Sequence, residues 1–242
     1  MRDPEPEPRR NALCQPVGRE LPGWQPPARP SRTVLSGTLC RLAPLNAAHH
    51  ADDLWTAWNL EPSEPVWTYL PYGPFTDAPG HAAWIEEQSR SVDPLFFAVV
   101  DGSTGRAVGW VSWLRITPEH GTIEMGHLVF SSALRRRATA TEALFLMMRE
   151  AFRLGYRRLE WKCDALNGPS RSAAERLGFR FEGVFHQAIV IRGRNRDTAW
   201  YSVLDREWPD LARAFERWLA PGNFDADGRQ KIRLSELTGK RR

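Results

Sequence analysis

The sequence predicts a mixed α/β domain whose sheet is largely antiparallel. Three strand candidates, 95–101, 106–116 and 122–130, follow one another with only short turns between them, as in an antiparallel meander. A helical pattern over 138–154 and a further strand at 158–164 come next, which is the order of a crossover between two parallel strands. Because helices and strands do not alternate regularly along the chain, a doubly wound dinucleotide fold and a barrel both fit poorly.

The composition is that of an ordinary globular protein. Of the 242 residues, 42% are hydrophobic and 26% are charged, which suits a packed core and excludes wholesale disorder. No apolar run approaches the ~18–20 residues of a membrane-spanning helix. The first thirty residues contain no apolar stretch of the kind found in a secretory signal. We therefore expect a cytoplasmic protein without a membrane partner.

The three cysteines do not form a recognisable framework. Cys14, Cys40 and Cys163 are far apart in the sequence and odd in number. They give neither a disulfide pattern nor the paired spacing of a metal site, so we expect no metal. For Cys163 a packed thiol is favoured over a covalent catalytic role.

The net charge of +4 is concentrated at the C-terminus. Residues 228–242 hold six basic side chains and one acidic one, so the remainder of the chain is close to neutral. A basic folded face for nucleic acid is therefore not expected, and the sequence predicts a flexible basic tail at 221–242. Residues 1–32 contain eight prolines and predict a disordered, Pro/Arg-rich tail. These boundaries leave the folded domain at 33–220.

Four elements are expected before the meander. Segment 34–42 has the pattern of a strand, and 46–58 carries apolar residues at helical spacing behind Asn46, whose side chain can cap the first turn. Residues 61–75 contain four prolines and four aromatic residues, so they are expected to form a loop. A helix is expected over 79–90, with proline tolerated in its first turn.

After the strand at 158–164 the sequence predicts a short helix and then a hairpin. The helix covers 169–177, the two strands cover 179–192 and 197–205, and a last helix covers 207–219. The sheet is thus expected to have six to seven strands flanked by helices.

The most informative stretch joins the strand ending at Phe130 to the helix that follows it. It reads Arg135-Arg136-Arg137-Ala138-Thr139-Ala140-Thr141. Its small side chains let an anion approach the backbone N–H groups at the start of the helix, where the helix dipole favours a diphosphate. The three arginines add positive charge, and the two threonines add hydroxyl donors. A solvated turn is the alternative.

This stretch resembles the acetyl-CoA loop of the GNAT acetyltransferase superfamily, Q/R-x-x-G-x-G/A, with Arg135 at the first position and Ala138 and Ala140 at the two small positions. Two further segments match the family. They are Glu124-Met125-Gly126-His127, which supplies a strand glutamate, and Asn167-Gly168-Pro169-Ser170 followed by Glu175-Arg176-Leu177-Gly178-Phe179. The resemblance covers about residues 34–206. It is closest to the branch of the ribosomal-protein N-terminal alanine acetyltransferases.

The resemblance implies a sheet that opens as a V between two neighbouring parallel strands, one ending at Phe130 and the other at 158–164. Acetyl-CoA would bind in this opening as the co-substrate. The cofactor-binding residues that it implies are Leu128, Val129, Phe130, Arg135, Arg136, Arg137, Ala138, Thr139, Ala140, Thr141, Asn167 and Ser170. The implied reaction is direct attack on the thioester by a primary amine of a peptide, a protein N-terminus or a small molecule. A catalytically weak acyl-CoA-binding module is the alternative.

Glu124 and Ser170 are the candidate catalytic residues. Because Ile123 and Met125 face the other side of the sheet, we expect the Glu124 carboxylate near apolar walls, as suits a proton acceptor. A salt-bridged strand carboxylate is the alternative. By the resemblance, Ser170 would protonate the leaving thiolate or bind its sulfur, since the tyrosine that many members use is Ala174 here. A hydroxyl that caps a helix is the alternative for Ser170.

The acceptor amine is expected at the aromatic loop. By the resemblance, Trp67, Tyr69 and Tyr72 would contact the substrate, unless they only cover the sheet edge. His127 is a substrate contact and a second candidate base. On a regular strand it points away from Glu124, so the two side chains are not expected to share one cleft. The sequence leaves a monomer and a homodimer open.

Overall fold

The computed structural model describes residues 9–60 and 64–239. Its strands are β1 Arg9–Arg10, β2 Pro16–Val17, β3 Leu35–Ser36, β4 Cys40–Pro44, β5 Leu95–Asp101, β6 Ala107–Thr117, β7 Thr122–Phe130, β8 Arg158–Asp164, β9 Arg180–Ile191 and β10 Arg194–Leu204. Its α-helices are α1 Ala47–Asn59, α2 Ala78–Arg90, α3 Ala138–Arg153, α4 Gly168–Arg176, α5 Trp208–Leu219 and α6 Leu234–Leu237. None of these helices is long and apolar enough to cross a membrane.

The main sheet of the described chain has eight strands in the order β3-β4-β5-β6-β7-β8-β10-β9. Every neighbouring pair is antiparallel except β7 and β8, which run parallel on either side of the crossover helix α3. The mixed, largely antiparallel sheet expected from the sequence is therefore confirmed. Strands β1 and β2 form a separate two-stranded ribbon.

The sheet has one strand more than expected because segment 34–42 is a hairpin, not a single strand. Strands β3 and β4 pair with each other across a turn that precedes Cys40. The buried carboxylate of Glu142 on α3 accepts hydrogen bonds from the backbone N–H groups of Thr38, Leu39 and Cys40, at 2.9, 2.7 and 2.8 Å. A long-range contact of this kind has no local signal in the sequence.

The two parallel strands separate soon after they meet. Strands β7 and β8 are paired only at Thr122/Arg158, Ile123/Leu159 and Glu124/Glu160. Beyond these pairs, β7 remains bonded to β6, and β8 remains bonded to β10. The V-shaped opening expected between the central strands is thus present, and it leaves one backbone edge of the last residues of β7 free.

The alternation along β5 shows how the two faces of the sheet are covered. Leu95, Phe97 and Val99 belong to the larger core cluster, which includes the buried face of α3. Phe96 and Ala98 belong to a second cluster that includes α1 and α2. Successive side chains of a strand point to opposite faces, so both faces of this strand are buried under helices.

A dense group of rings fills the space beneath α1 and α2, and we call it the aromatic cluster. It consists of Trp58, Trp67, Tyr72, Phe75, His81, Trp84, Phe96 and Trp110. The ring of Trp110 on β6 lies 5.2 Å from that of Trp58, and Trp58 lies 5.6 Å from Trp67. The proline-rich loop therefore folds inward and contributes to the core.

His81 is a neutral polar residue within this cluster. Its side chain is fully buried beside Phe75 and Trp110, with ring centroids at 5.1 and 6.0 Å. Neither ring nitrogen has a hydrogen-bond partner among the described residues. Burial lowers the pKa of His81 to about 4, because the charged imidazolium would lose its hydration there.

The substitution His81→Leu should make the protein less sensitive to acid. The unfolded chain binds a proton at His81 near pH 6.5, whereas the folded chain does so only near pH 4. The stability tied to neutral His81 is therefore complete above pH 6.5 and is lost as the pH falls towards 4. Between pH 7 and pH 5 the free energy of unfolding should fall by about 2 kcal/mol because of His81. The His81→Leu variant should not show this part of the decrease.

Urea unfolding at pH 7 and pH 5 measures this difference. His120→Leu at an exposed position is the matched control, and its pH dependence should equal that of the wild type. An unchanged pH dependence in the His81→Leu variant would show that this histidine is not held neutral.

The N-terminal segment differs from the expected disordered tail in the part that the structure describes. The Arg29 guanidinium donates to the carbonyl oxygen of Ile116 at 3.1 Å, and Arg32 donates to that of Ser91 at 2.6 Å. The arginines between the prolines thus bond the chain to the domain. Residues 1–8 of the predicted tail lie outside the described residues.

The C-terminal segment also differs from the expected flexible tail. Leu234 is fully buried and belongs to the larger core cluster, and Trp218 on α5 packs against Phe224 with ring centroids 5.2 Å apart. The hydroxyl of Thr238 donates to the backbone oxygen of Arg176 at 3.2 Å. Apolar anchors interspersed among the basic residues hold this segment on the domain. Residues 240–242 lie outside the described residues.

Candidate active site

One large cavity, of about 2610 Å³, occupies the opening between β7 and β8. It extends from the start of α3, past the separated strands, to Tyr69 in the proline-rich loop. Helix α4 and the segment after α5 complete its walls. The sequence-predicted loop, strand and helix residues therefore meet around a single space.

The start of α3 has the features of an anion site. The N-cap residue is Arg137, whose side chain makes no capping hydrogen bond, and the first turn contains no acidic residue. The first backbone N–H groups of a helix have no intrahelical acceptor, so those of Ala138, Thr139 and Ala140 are available to a ligand. All three residues line the cavity.

The arginines before α3 complete this anion site. Arg135, Arg136 and Arg137 line the cavity and are exposed, and none forms an ion pair with a residue that the structure describes. The turn holding them closes on Ser131, whose carbonyl oxygen accepts from the N–H groups of Leu134 and Arg135 at 3.0 and 2.9 Å. Small side chains, free amides and unpaired guanidinium groups together fit a diphosphate.

Thr141 is placed differently from the other loop residues. It is buried, and its hydroxyl accepts from both terminal nitrogens of Arg176 at 3.3 and 3.2 Å. Burial lowers the pKa of Arg176, which has no carboxylate within ion-pair distance among residues 9–60 and 64–239. Thr141 thus fixes a cationic side chain of α4 beside the start of α3.

The end of β7 contributes mainly its backbone. The side chains of Leu128 and Phe130 line the cavity. Val129 points the other way, is fully buried and packs with the aromatic cluster. Val129 was predicted to bind the cofactor, but only its main chain can reach the cavity.

A β-bulge in β7 changes the expected geometry. Trp110 pairs with Val129 and Ser112 pairs with Gly126, so β7 carries one more residue than β6 between these pairs. The extra residue is accommodated at His127, whose φ is +48°. Because the bulge breaks the alternation of side chains, Glu124 and His127 both line the cavity. The expectation that they could not share a cleft is wrong.

The surroundings of Glu124 also differ from the expected apolar walls. Its carboxylate is buried and accepts two hydrogen bonds from Arg115, at 2.6 and 2.8 Å, and lies 3.2 Å from the Lys162 ammonium. Lys162 also pairs with Glu160 at 2.8 Å and lies 3.5 Å from the centroid of the Trp200 ring. Glu124 is therefore an ion-paired carboxylate. This is the alternative that the sequence left open, a salt-bridged carboxylate on the strand.

His127 is a neutral imidazole at the wall of the cavity. Burial, together with the nearby charges of Arg115 and Arg196, lowers its pKa to about 4. Its Nδ1 atom lies 3.3 Å from the hydroxyl of Tyr72, and the two rings are stacked 5.5 Å apart. The Tyr72 hydroxyl also accepts from the indole N–H of Trp110 at 3.3 Å. These contacts fix the orientation of the imidazole.

Ser170 and Asn167 lie together at the start of α4 and line the cavity. The Asn167 side-chain oxygen caps the helix by accepting from the backbone N–H of Ser170 at 3.1 Å. The Ser170 hydroxyl accepts from the indole N–H of Trp161 on β8 at 3.0 Å. The same hydroxyl also interacts with the side chain of Cys163, so its proton can be directed to a neighbouring sulfur. The side chain that caps α4 is therefore that of Asn167, not that of Ser170.

Cys163 also borders the cavity and is buried. Burial raises the pKa of its thiol, so the residue is a neutral, packed thiol.

The acceptor side contains only part of the predicted aromatic wall. Tyr69 lines the cavity, and its hydroxyl donates to the carbonyl oxygen of Leu166 at 3.2 Å. Trp67 is buried in the aromatic cluster, and Tyr72 lies behind His127, so neither side chain lines the cavity. The expected direct contact of Trp67 and Tyr72 with substrate is therefore corrected. The inward fold of the proline-rich loop is the cause.

Several cavity residues are absent from the sequence-based predictions. They include Arg115, Lys162, Arg176, Phe185, Arg196 and Trp200. A signal existed for Lys162, because 158–164 alternates strictly between polar and apolar residues and so presents one polar face. For Arg115, held with a φ of +46°, the sequence offers no signal.

The sheet that opens between two parallel strands, with an anion site beside the opening, defines the class of protein as an acyltransferase. Residues 40–180 match the family model of the acetyltransferase (GNAT) domain. The chain therefore belongs to the GNAT acetyltransferase family, as the motifs in its sequence indicated.

Solved structures agree with this assignment. A GCN5-related N-acetyltransferase from Brucella melitensis is 48% identical, with a TM-score of 0.88 over 90% of this chain and 99% of that one. A probable GNAT-family acetyltransferase from Chromobacterium violaceum is 39% identical, with a TM-score of 0.75 over 81% of this chain and 98% of that one. No curated protein matches the chain.

A ribosomal-protein acetyltransferase shares the fold at lower identity. It is the Salmonella typhimurium enzyme that modifies the N-terminal serine of a 50S ribosomal subunit protein. It is 18% identical to this chain, with a TM-score of 0.60 over 71% of this chain and 99% of that one. At this identity the likeness concerns the fold alone.

Proposed function

We propose that the protein is an N-acetyltransferase that moves an acetyl group from acetyl-CoA to a primary amine. The amine belongs to a peptide or protein N-terminus or to a small molecule, and it attacks the thioester directly. The observation that supports this most is the single cavity that joins the uncapped start of α3 to the free edge of β7. Family membership supplies the general reaction.

The donor would be held along one continuous path. The diphosphate would accept hydrogen bonds from the amides at the start of α3. The side chains of Arg135, Arg136 and Arg137 would stabilise its negative charge. The pantetheine amides would pair with the backbone edge of β7 that β8 leaves free after Glu124. The side-chain amide nitrogen of Asn167, which has no partner among the described residues, would bind the same arm.

Positioning of the acceptor amine would contribute more to the rate than deprotonation by a strong base. Neutral His127 accepts a hydrogen bond from the amine. Because its pKa is low, it is a weak base and does not keep a proton at neutral pH. Glu124 holds Arg115 and Lys162 in place, so we assign it a positioning role. Two reactants aligned in one cleft gain much of their rate from that alignment alone.

The Ser170 hydroxyl is suited to protonating the leaving thiolate. Trp161 orients its oxygen, and its interaction with Cys163 shows that the hydroxyl can be directed to a sulfur atom. The substitution Ser170→Ala should lower kcat by roughly 100-fold or more, the size expected for loss of a proton donor, with little change in the KM for acetyl-CoA. Ser172→Ala on the exposed side of the same helix is the matched control. Equal kcat values for the wild type and Ser170→Ala would remove Ser170 from the mechanism.

Release of free thiol from acetyl-CoA, measured against a panel of amines, tests the function. The panel contains peptides with free N-termini, polyamines, amino acids and aminoglycoside-like amines. We expect amine-dependent release with at least one class, together with the acetylated product. Tight binding of CoA without turnover of any amine would instead favour the alternative, an acyl-CoA-binding module.

A further inference from the structure

We propose that the segment from Phe224 to Glu236 forms the subsite for the 3′-phosphate and adenine of CoA. This inference rests on the proposed function, because it names the part of the cofactor that the segment binds. The segment lies beyond residues 40–180, which match the family model. It nevertheless lines the same cavity as the start of α3.

The segment is folded against α5 in a defined way. The side-chain oxygen of Gln230 accepts from the indole N–H of Trp218 at 2.9 Å. The Asn223 side-chain oxygen accepts from the backbone N–H of Ile232 at 2.9 Å, and the Asn223 carbonyl accepts from that of Lys231 at 2.7 Å. These contacts, with Leu234 in the core, present residues 227–231 and Arg233 to the cavity in a fixed conformation.

Arg176 connects this segment to the diphosphate site. Its guanidinium lies 5.2 Å from the centroid of the Trp218 ring and donates to Thr141 in the first turn of α3. Trp218 in turn is bonded to Gln230. One chain of direct contacts therefore leads from the start of α3 to the C-terminal segment, and both border the same cavity.

The charges that face the cavity favour a further phosphate. Arg229, Lys231 and Arg233 line the cavity, as do the acidic residues Asp227 and Glu236. Asp227 lies 3.9 Å from Arg229 and partly neutralises it. Lys231 donates only to the carbonyl oxygen of Gly222, at 2.9 Å, and Arg233 makes no ion pair within the described chain. Lys231 and Arg233 are thus two exposed cations without a carboxylate partner.

Two aromatic side chains contribute to the same cavity wall, of which Phe224 is partly exposed and Trp218 is buried. Trp218 and Phe224 border the cavity and pack edge to face. The chemistry of the subsite is therefore a cationic pair next to aromatic rings. An adenosine 3′-phosphate, with a dianionic phosphate beside a flat base, has the complementary character. The diphosphate needs neither feature, since the start of α3 already supplies amides and arginines.

Calorimetric titration with CoA and with 3′-dephospho-CoA tests this subsite. For the wild type we expect CoA to bind roughly tenfold or more tightly than 3′-dephospho-CoA, as befits loss of a charge-assisted contact. In the Lys231→Ala/Arg233→Ala variant this ratio should fall to about 1–2, while the affinity for 3′-dephospho-CoA stays at the wild-type value. Arg233→Ala alone, which removes no bond within the described chain, should lower the ratio part of the way.

The matched control is Arg213→Ala/Arg217→Ala on the exposed face of α5, which removes the same charge away from the cavity. It should keep the wild-type ratio. A ratio near one in the wild type, or a wild-type ratio in the Lys231→Ala/Arg233→Ala variant, overturns the inference while leaving the proposed function intact. Absence of binding by either cofactor in the wild type overturns the proposed function and the inference with it.

Discussion

The substitution Ala138→Asp is expected to lower the affinity for CoA by at least about 100-fold, which corresponds to roughly 2.7 kcal/mol. Ala138 is the first residue of α3, and its side chain lines the cavity. A carboxylate at this position can accept hydrogen bonds from the free N–H groups of the first turn. Its negative charge also repels the diphosphate. The same carboxylate interacts favourably with the helix dipole, by about 0.3–1 kcal/mol, so the fold should be unharmed.

This combination separates loss of binding from loss of structure. Calorimetry should show weak or absent CoA binding, and thermal unfolding should show a midpoint equal to or above that of the wild type. Ala138→Ser, which stays small and uncharged, is the control and should bind CoA to within a few-fold of the wild type. If Ala138→Asp bound CoA as tightly as Ala138→Ser does, the diphosphate would not lie at the start of α3.

The substitution Glu142→Ala is expected to lower the free energy of unfolding by about 3–5 kcal/mol. The Glu142 carboxylate is buried and accepts three backbone hydrogen bonds from the turn at 38–40. Alanine leaves these N–H groups without their acceptor and opens a void against the neighbouring backbone. Because that turn joins β3 to β4, the edge of the sheet should loosen with it.

Urea unfolding measures this effect, and two variants calibrate it. Glu142→Gln keeps the shape and one acceptor oxygen, so it should cost less than alanine. Glu150→Ala, on the same helix, removes a carboxylate that pairs only with exposed Arg153 and should cost less than about 1 kcal/mol. A Glu142→Ala variant as stable as Glu150→Ala would show that the carboxylate does not hold the turn.

The sequence predicts the fold well wherever the signal is local. The periodicity of 138–154 and the alternation of 158–164 give α3 and β8 to within one residue, and the Asn46 cap is formed as expected through the N–H of His49. The sequence predicts a single strand at 34–42 where the structure has a hairpin at 35–44, because the turn of the hairpin is set by Glu142, about a hundred positions further along. Long-range bonds of this kind cannot be read from local patterns.

The candidate site was predictable in its backbone parts and less so in its side chains. The loop before α3 was found because small residues and arginines before a helix carry a direct chemical meaning. The shared cavity of Glu124 and His127 follows from the bulge in β7, whereas Arg115, which pairs with Glu124, lies at a second bulge, in β6 between Leu114 and Thr117. A single extra residue in a strand leaves no mark on hydrophobic patterning, so strict alternation misplaced His127.

The structural role of the C-terminal segment was hidden for a different reason. Its high content of lysine and arginine is typical of a solvated tail, and composition outweighed the few apolar residues within it. Leu234 and Phe224 are spaced too widely to give a periodic pattern, yet they hold the segment against α5 and the core.

A crystal structure of the protein with bound CoA tests the central claim most directly. We predict that oxygens of the diphosphate lie within about 2.7–3.1 Å of the backbone nitrogens at Ala138, Thr139 and Ala140, with the pantetheine arm running between β7 and β8. A diphosphate bound elsewhere, with the amides at the start of α3 bonded to water, would contradict the account.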